Sequence, residues 1–554
     1  FGAANIYADA GGYTLTINTA TTNGGGTGGD VTFGLVDDNA SGNNFLTSLV
    51  VDADGAGTNG TVNLSQNISV DEGDIDIDGN AAVTASITLD TEQGNNGAAG
   101  DIRLEGANVY ASGAANLVLT LNTAVTGANN AGDVYTGGFS DNGGANNFFN
   151  QLLITATSGA ATAGDFRPAG NIQLDDDGVG GVAVFSFAGD DVLLGATTSI
   201  DTQQGDNAAG GTVNLSAGDI SATGAGYDLT IDTSTTNAGS NGGAVQIALV
   251  DNGGGAFIND LTISTGEGTG GTAGSVTLHN NISLDDNGGG DTGDLTINGG
   301  GSLILSADVT IATETGGQNG GNVDISDTVL TADAAPLDLV INTNTAGTTA
   351  GNVSLGAAGN AGGQYVNDVT INTDGGTNDG SLTLQGVFNM DTSGVDLADF
   401  TKSSGGDIIV AADATINTES GEDANAGNID LGSGTFNISA SAANATLTLN
   451  TDTGAGFTAG NVPLTGATVT NTAGQFLQGL VIDAGTTAGT DGVVSINNNI
   501  STDPGSGAGG VTIDGNIQIA SSVTIDTDDS DDEGAGAINL AATSGSVSAT
   551  GAGI

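Results

Sequence analysis

Apolar and polar residues alternate in short runs along the chain. The runs YTLTIN, LVLTLN, YDLTID and ATLTLN place an apolar side chain at every second position, which is the period of a β-strand with one buried face. Clusters of Gly, Asn and Thr separate the runs, as turns require. No convincing helical periodicity occurs in the sequence. The pattern therefore predicts an all-β protein.

A five-residue word recurs along the whole chain: Gly, any residue, Val or Ile, any residue, and usually Leu or Ile. Examples are GTVNL, GDIRL and GNVSL, and a partner word such as LTINT or VTIDT stands a short distance upstream of each copy. Such self-similarity is typical of repeat architectures. The central residues of the fifteen copies are Val31, Val62, Ile102, Val134, Phe166, Val213, Val245, Val276, Val323, Val353, Leu382, Ile429, Val462, Val494 and Ile538.

A longer period is superimposed on this word. Most neighbouring copies are separated by about 31 residues, but every third interval is longer, at about 40 to about 47 residues. The partner word marks super-repeats of about 108 residues. The segment 542–553 repeats the phase of the segment 1–12, so we expect a window of a longer repetitive chain, or a subunit that stacks end to end. The super-repeats span approximately 13–116, 117–226, 227–336, 337–444 and 445–553, with anchors at Ile17, Leu121, Ile231, Ile341 and Leu449.

These periods predict how the strands are stacked. A unit of about 31 residues cannot bury the apolar face of its few short strands alone, whereas stacked copies can. We predict one continuous parallel β-solenoid over residues 1–554, with about 15 coils of about 31 residues in five super-repeats of about 108 residues. If each word forms one coil, paired strands lie about 31 residues apart, and about 47 residues apart at the long intervals. The alternative is a string of five immunoglobulin-like sandwiches, but sandwiches do not require the shorter period.

The charge balance excludes several classes of function. The chain carries 64 acidic and 3 basic residues, a net charge of −61, which argues against nucleic acid and anionic membranes as partners. It has no Cys and only one His, so a disulfide scaffold and a row of haems are excluded. No apolar run is long enough for a membrane span. Arg103, Arg167 and Lys402 are far apart in the sequence, so we expect no cationic cluster of the kind that a lyase for acidic sugars needs.

One acidic position recurs in all five long intervals, in NISVDEG, NIQLDDDG, NISLDDNG, FNMDTSG and NISTDPG. Clustered carboxylate and carbonyl oxygens suit a hard cation, so one interpretation is a row of calcium sites. The other interpretation is a turn in which each Asp bonds its own backbone. The candidate metal ligands are Asp71, Asp175, Asp285, Asp391 and Asp503, assisted by Glu72, Asp176 and Asp286.

One aromatic residue also recurs in each super-repeat. Such a row either fills the core and corners or stacks on sugars. Its members are Phe45, Phe148, Phe257, Tyr365 and Phe476.

The repeated Gly-x-Val-x-Leu and LTINT words, in a Cys-free chain rich in Gly, Asn, Thr and Asp, resemble the repeat shafts of large bacterial surface proteins of the filamentous-haemagglutinin and giant-adhesin type. The resemblance covers essentially the whole chain. It implies an extracellular or cell-surface structural role, with adhesion carried by other segments.

The expected function is an extracellular structural shaft or filament protomer, without catalytic activity and without a cofactor other than calcium. It associates end to end or continues a longer chain. The alternative is a calcium-dependent adhesin whose repeats bind glycans or surfaces. An ice-binding or polysaccharide-active β-helix is less favoured, because the Thr-x-Thr rows are interrupted and near-uniform repeats offer no unique site.

Overall fold

The computed structural model describes most of the chain. The described residues are 5–9, 11–37, 44–94, 97–106, 108–140, 147–176, 181–205, 207–224, 226–251, 256–285, 292–315, 317–334, 336–359, 364–391, 397–421, 423–432, 434–473, 475–503, 509–528, 534–540 and 546–549. They contain strands and turns but no helix, so none of them forms a helix that could cross a membrane. The predicted parallel β-solenoid is confirmed.

The chain divides into two compact units, Phe1–Val276 and Thr277–Ile554. In the N-terminal unit each turn contributes strands to three faces in succession, and every strand pairs in parallel with the strand of the same face one turn later. Face 1 contains β1 (Tyr13–Asn18), β3 (Leu46–Asp52), β6 (Ile75–Asp78), β9 (Ile102–Leu104), β12 (Val134–Thr136), β15 (Phe166–Pro168), β18 (Asp191–Leu194) and β21 (Asp219–Ala222).

The other two faces of this unit are built in the same way. Face 2 contains β2 (Val31–Phe33), β4 (Thr61–Leu64), β7 (Asn80–Val83), β10 (Val109–Ala111), β13 (Phe139–Ser140), β16 (Ile172–Gln173), β19 (Thr198–Asp201), β22 (Tyr227–Asp232) and β24 (Ile258–Ser264). Face 3 contains β5 (Ile68–Ser69), β8 (Ile87–Asp90), β11 (Leu117–Asn122), β14 (Phe149–Thr155), β17 (Val184–Ala188), β20 (Thr212–Leu215), β23 (Val245–Ile247) and β25 (Val276–Leu278), which begins at the last residue of the unit.

The C-terminal unit also has three strand positions in each turn, here called faces 4, 5 and 6. Face 4 contains β26 (Ile282–Ser283), β29 (Val309–Ala312), β31 (Leu339–Asn342), β33 (Val369–Asn372), β35 (Phe400–Ser404), β37 (Ile429–Asp430), β40 (Val462–Leu464), β43 (Val493–Ile496), β46 (Asn516–Ile519) and β49 (Val547–Ala549). Face 5 contains β27 (Leu295–Asn298), β38 (Phe436–Ala440), β41 (Ala467–Val469), β44 (Ile500–Ser501) and β47 (Ile525–Asp526).

Four long strands run from face 5 into face 6. They are β30 (Val323–Ala332), β32 (Val353–Ala358), β34 (Leu382–Asn389) and β36 (Ile408–Asn417). For example, β30 pairs with β27 through its first residues and with β28 through its last. Face 6 is completed by β28 (Ser302–Leu305), β39 (Thr446–Asn450), β42 (Gly479–Asp483), β45 (Gly510–Asp514) and β48 (Ala537–Asn539).

The core consists of columns of apolar side chains that point inwards from equivalent strand positions. Because paired strands are parallel and in register, each inward side chain packs on its counterpart one turn away. In the column on face 1 every member is at most 2% exposed. The members are Leu49, Ile75, Ile102, Val134, Phe166, Val192 and Ile220.

The expectation that each long interval forms one long coil is wrong. On face 2, Val62 pairs with Ala81, which precedes the next copy of the word. That next copy, at Ile102, lies on face 1 and pairs with Ile75. The long interval therefore contains extra, shorter turns without the word, and the word then resumes on another face.

This shift follows from the length of the super-repeat. Leu121 lies in β11 on face 3 and its counterpart Ile231 lies in β22 on face 2, eleven strands later. With three strands to a turn, one super-repeat makes three and two-thirds turns. In the C-terminal unit the same step separates Ile341 on face 4 from Leu449 on face 6. Equivalent residues of successive super-repeats therefore lie on different faces.

Candidate functional site

The two sequence words meet at one corner of the turn, where a threonine closes the loop between them. The threonine of the LTINT-type word is buried in every case but Thr19, which is half-buried, and its Oγ1 donates a hydrogen bond to the carbonyl of the glycine that opens the next word. We call this contact the Thr–Gly lock. It joins Thr19 to Gly29, Thr123 to Gly132, Thr202 to Gly211, Thr233 to Gly243, Thr313 to Gly321, Thr343 to Gly351, Thr418 to Gly427, Thr451 to Gly460, and Thr527 to Gly536.

The glycines of these locks stack on one another between turns. A Cβ added to Gly460 would lie 1.7 Å from the carbonyl oxygen of Gly427, and one added to Gly351 would lie 1.7 Å from that of Gly321. No side chain fits at such a distance, so only glycine allows the backbones to approach this closely. The first residue of the word is therefore fixed by coil stacking.

The residue after this glycine links the turns through its side chain. Asp101 Oδ1 accepts the backbone N–H of Asp133 at 2.9 Å, and Asp133 Oδ1 accepts that of Asp165 at 3.0 Å. Asn322, Asn352 and Ser381 are joined in the same way in the C-terminal unit. Asp or Asn at this position therefore satisfies a corner N–H that the strands leave without a partner.

The five recurring Asp residues do not form a single row. Since each super-repeat ends two-thirds of a turn from where it began, these residues follow strands of different faces. Asp71 follows β5 on face 3, and Asp175 follows β16 on face 2. In the C-terminal unit Asp285, Asp391 and Asp503 follow β26, β34 and β44, on faces 4, 6 and 5. The assumption of one continuous column is therefore wrong.

Three of these Asp residues bond the next turn of the solenoid. Asp71 Oδ1 accepts the N–H of Gly94 at 3.3 Å, and Asp391 Oδ1 accepts that of Gly421 at 3.2 Å. Asp285 Oδ2 accepts the hydroxyl of Thr315 at 2.8 Å. Because these bonds reach a different turn of the chain, the three carboxylates link successive turns.

The other candidate ligands have different environments. Asp175 Oδ1 accepts the N–H of the next residue, the buried Asp176, at 2.9 Å. Glu72 has a positive φ of 68°, a conformation that is uncommon outside glycine. Asp503 donates its backbone N–H to the carbonyl of Leu477. Asp286 lies outside the described residues.

A second set of polar residues, absent from the predicted ligands, faces these Asp residues from the next turn. Glu92, Gln203, Glu314 and Glu419 are all at most 7% exposed. Glu92 Oε1 accepts the N–H of Gly97, and Glu419 Oε1 accepts that of Asp423. These residues could have been predicted from the sequence, because a related segment occurs once in each of four successive super-repeats: TEQG, TQQG, TETG and TESG.

Among the residues that the structure describes, one group of three carboxylates lies close together, at one of these acidic corners. One carboxylate oxygen from each of Asp391, Glu419 and Asp423 falls within 4.8 Å of the others. At the equivalent corner after β5, burial and the neighbouring Glu92 raise the pKa of Asp71. At both corners, carboxylates of like charge lie close together where water is partly excluded. Their oxygen ligands and spacing suit a divalent cation such as Ca²⁺.

Two of the three basic residues come together, contrary to expectation. Arg103 and Arg167 lie on either side of the Tyr135 ring, with their Cζ atoms 4.4 and 5.4 Å from its centroid. Arg103 pairs with Asp101 at 2.6 Å and Arg167 with Asp165 at 2.8 Å. The stack therefore offsets the carboxylates that join these turns.

One turn further along face 1, a carboxyl group lies beyond this stack. Burial and the carboxylates of Asp190, Asp165 and Asp219 raise the pKa of Asp191 to about 6, and Arg167 opposes the shift. Asp191 pairs in register with Asp219 on the adjacent strand. The two arginines therefore offset the negative charge around Tyr135 more than they offset it at Asp191.

Lys402 has its side chain inside the solenoid. It is 0% exposed and its amine lies 5.1 Å from the Phe436 ring centroid. Its Nζ donates to the carbonyl of Gly405. Burial lowers its pKa to about 8, and Asp379, Asp407 and Asp374 oppose that shift.

The recurring aromatic residues are mainly packing residues. Phe45, Phe148 and Phe257 are at most 7% exposed, while Tyr365 and Phe476 are less buried. The three buried rings have no free face on which a sugar could stack, which favours the core and corner interpretation.

Comparison with known proteins gave no family assignment. A scan against protein-family models, a search of curated proteins and a search of solved structures each found no match.

Proposed function

We propose that this chain is an extracellular structural shaft or filament protomer without catalytic activity, in a large surface protein of the filamentous-haemagglutinin or giant-adhesin type. The observation that carries the proposal is the recurrence of the Thr–Gly lock and its stacked glycine. The lock closes each corner and the stacked glycine lets one turn lie closely on the next, which is what a load-bearing or spacing element requires. The resemblance of the repeat words to such shafts supports the same role.

The acidity of the chain fits an extended element. Its −61 net charge produces self-repulsion that disfavours non-specific collapse and lateral association. Parallel backbone pairing between turns counteracts this repulsion along the chain. A charged shaft of this kind separates a cell surface from the functional segments that it carries.

The proposal is tested on the native protein in its own cells. Antibodies against residues 1–554 should label intact, unpermeabilised cells, and electron microscopy of the purified native protein should show thin fibres. Labelling that appears only after permeabilisation, or native particles that are compact, would contradict the proposal.

A further inference from the structure

An open groove of about 510 Å³ crosses several turns of the C-terminal unit. It runs along the starts of β32, β34, β36 and β38, where the chain enters face 5. Most of its lining is polar, and only Ile409 is a larger apolar side chain. Its polar side chains include those of Asn352, Asp379, Ser381, Asp407 and Thr435.

Hydrogen bonds between turns hold the side chains of Asn352 and Asp407, and a bond within one turn holds that of Asp379. Asn352 Oδ1 accepts the N–H and the hydroxyl of Ser381, both at 2.9 Å. Asp379 Oδ1 accepts the N–H of Gly375 at 3.0 Å. Asp407 Oδ1 accepts the N–H and the side-chain amide of Asn437 at 2.9 and 3.1 Å. These bonds use Oδ1 of each carboxylate, so the carboxylates are held in place while Oδ2 remains for a ligand.

The buried lysine supports one wall of the groove. Gly406 lines the groove, and the carbonyl of the preceding Gly405 accepts a hydrogen bond from the Lys402 amine. The positive charge of Lys402 interacts with Asp379 and Asp407. It therefore holds the corner in place and offsets part of the negative charge that the two carboxylates bring to the groove.

We propose that this groove binds a neutral, hydroxyl-rich saccharide chain. Fixed carboxylate, amide and hydroxyl groups on successive turns offer the acceptors and donors that sugar hydroxyls pair with, and the volume is within the range of ligand sites. An acidic saccharide would be repelled by the chain's net charge of −61. This binding function goes beyond the proposed structural role and is independent of it.

Calorimetric titration of the whole chain with neutral hexasaccharides tests the proposal. The probes are cellohexaose, maltohexaose and the hexamer of N-acetylglucosamine, with hexagalacturonate as the acidic counterpart. We expect at least one neutral hexamer to bind and hexagalacturonate not to bind. No heat or shift with any of the three neutral probes, measured by titration and by NMR of the saccharide, would overturn the proposal.

Two matched pairs of variants locate the binding. The double substitution Asp379→Asn and Asp407→Asn keeps both Oδ1 acceptors and removes both charges, and it should weaken binding at least 10-fold. Thr435→Trp places a bulky ring at an exposed position in the groove and should abolish binding. Asp399→Asn, at a carboxylate that links turns outside the groove, and Thr487→Trp, at an exposed position, should leave it unchanged.

Circular dichroism and the unfolding temperature of each variant show whether the fold is intact. Binding that survives Thr435→Trp in a folded protein, or an equal loss in the two control variants, would overturn the assignment. Fibre formation and surface exposure do not depend on the groove, so these outcomes leave the structural proposal separately testable.

Discussion

The corner that holds the Thr–Gly lock and the corner that holds the acidic residues are built in different ways. At the first, Thr451 bonds Gly460, whose backbone lies too close to Gly427 for any side chain. At the second, Asp391 and Glu419 bond backbone N–H groups and bring like charges together. The first corner is therefore fixed by the close contact of two backbones. The second is held by hydrogen bonds to carboxylates, and the repulsion between these carboxylates opposes that stabilisation. Their responses to mutation, pH and ions should differ accordingly.

The largest effect is expected from Gly460→Ala. The added Cβ would clash with the Gly427 carbonyl, and a clash with backbone lies at the upper end of the about 1–3 kcal/mol that overpacking typically costs. Gly434→Ala is the control, because a Cβ there meets nothing within 4 Å. Urea unfolding of the two variants should show a lower midpoint for Gly460→Ala only. Equal midpoints would show that the close backbone approach is not a constraint.

A smaller loss is expected from Thr451→Val. This change keeps the shape of the side chain but removes the buried hydroxyl that donates to Gly460, at a cost of about 1–2 kcal/mol. Thr448→Val, on the outward side of β39, is the matched control and should change stability by less than about 0.5 kcal/mol. If the control lost as much, the threonines would contribute only through strand propensity.

The acidic corner at Asp71 should respond to pH in the direction opposite to ordinary acid denaturation. The pKa of Asp71 is raised in the folded chain by burial and by Glu92. Its stabilising contribution is therefore complete below the unfolded value near 3.8 and is lost as pH rises through the raised folded value. Acidification from neutral pH towards that range should raise the unfolding temperature at constant ionic strength.

Asp71→Asn separates this effect from screening. The amide keeps the acceptor for Gly94 but does not titrate, so the variant should gain less stability on acidification than the natural chain. An unfolding temperature that falls on mild acidification in both proteins would contradict the account of the acidic corner.

The smallest effect is expected from calcium. If Asp391, Glu419 and Asp423 bind Ca²⁺ with the millimolar affinity of extracellular sites, a millimolar concentration stabilises this corner by less than about 1 kcal/mol. Hydrogen exchange should become slower over the segment 419–423. The corner after β16 is an internal control, because Gln203 and Asn207 occupy the positions of Glu419 and Asp423. Equal slowing at both corners, or the same response to Mg²⁺, would show only general screening.

Much of the fold was readable from the sequence, because alternation and the recurring words report local requirements. Inward columns need apolar residues at every second position, and stacked backbones need glycine. The shift of the recurring word from one face to another could not be predicted from the sequence. The pairing of Val62 with Ala81 joins a copy of the word to the segment NAAV, which lacks the word, so similarity of sequence did not indicate which residues stack.

The acidic corner was predicted only in part for a related reason. Asp71 belongs to a visible motif, but its neighbour one turn on, Glu92, stands in a separate segment of the sequence. The separation of such neighbours differs between corners, because turns without the word vary in length. Likewise, Arg103 and Arg167 meet across Tyr135 only because two turns separate them, which no local pattern records.

Engineered disulfides test the central claim, that the super-repeat is not a whole number of turns. The chain has no Cys, so any disulfide that forms joins the two cysteines introduced by mutation. Thr61 and Asn80 are partners on adjacent strands, at a spacing of about 4.8 Å that a disulfide spans, whereas alignment of the words would instead place Thr61 beside Asp101. Under mild oxidation the account predicts that Thr61→Cys with Asn80→Cys forms an intramolecular disulfide and that Thr61→Cys with Asp101→Cys does not. The reverse result would contradict it.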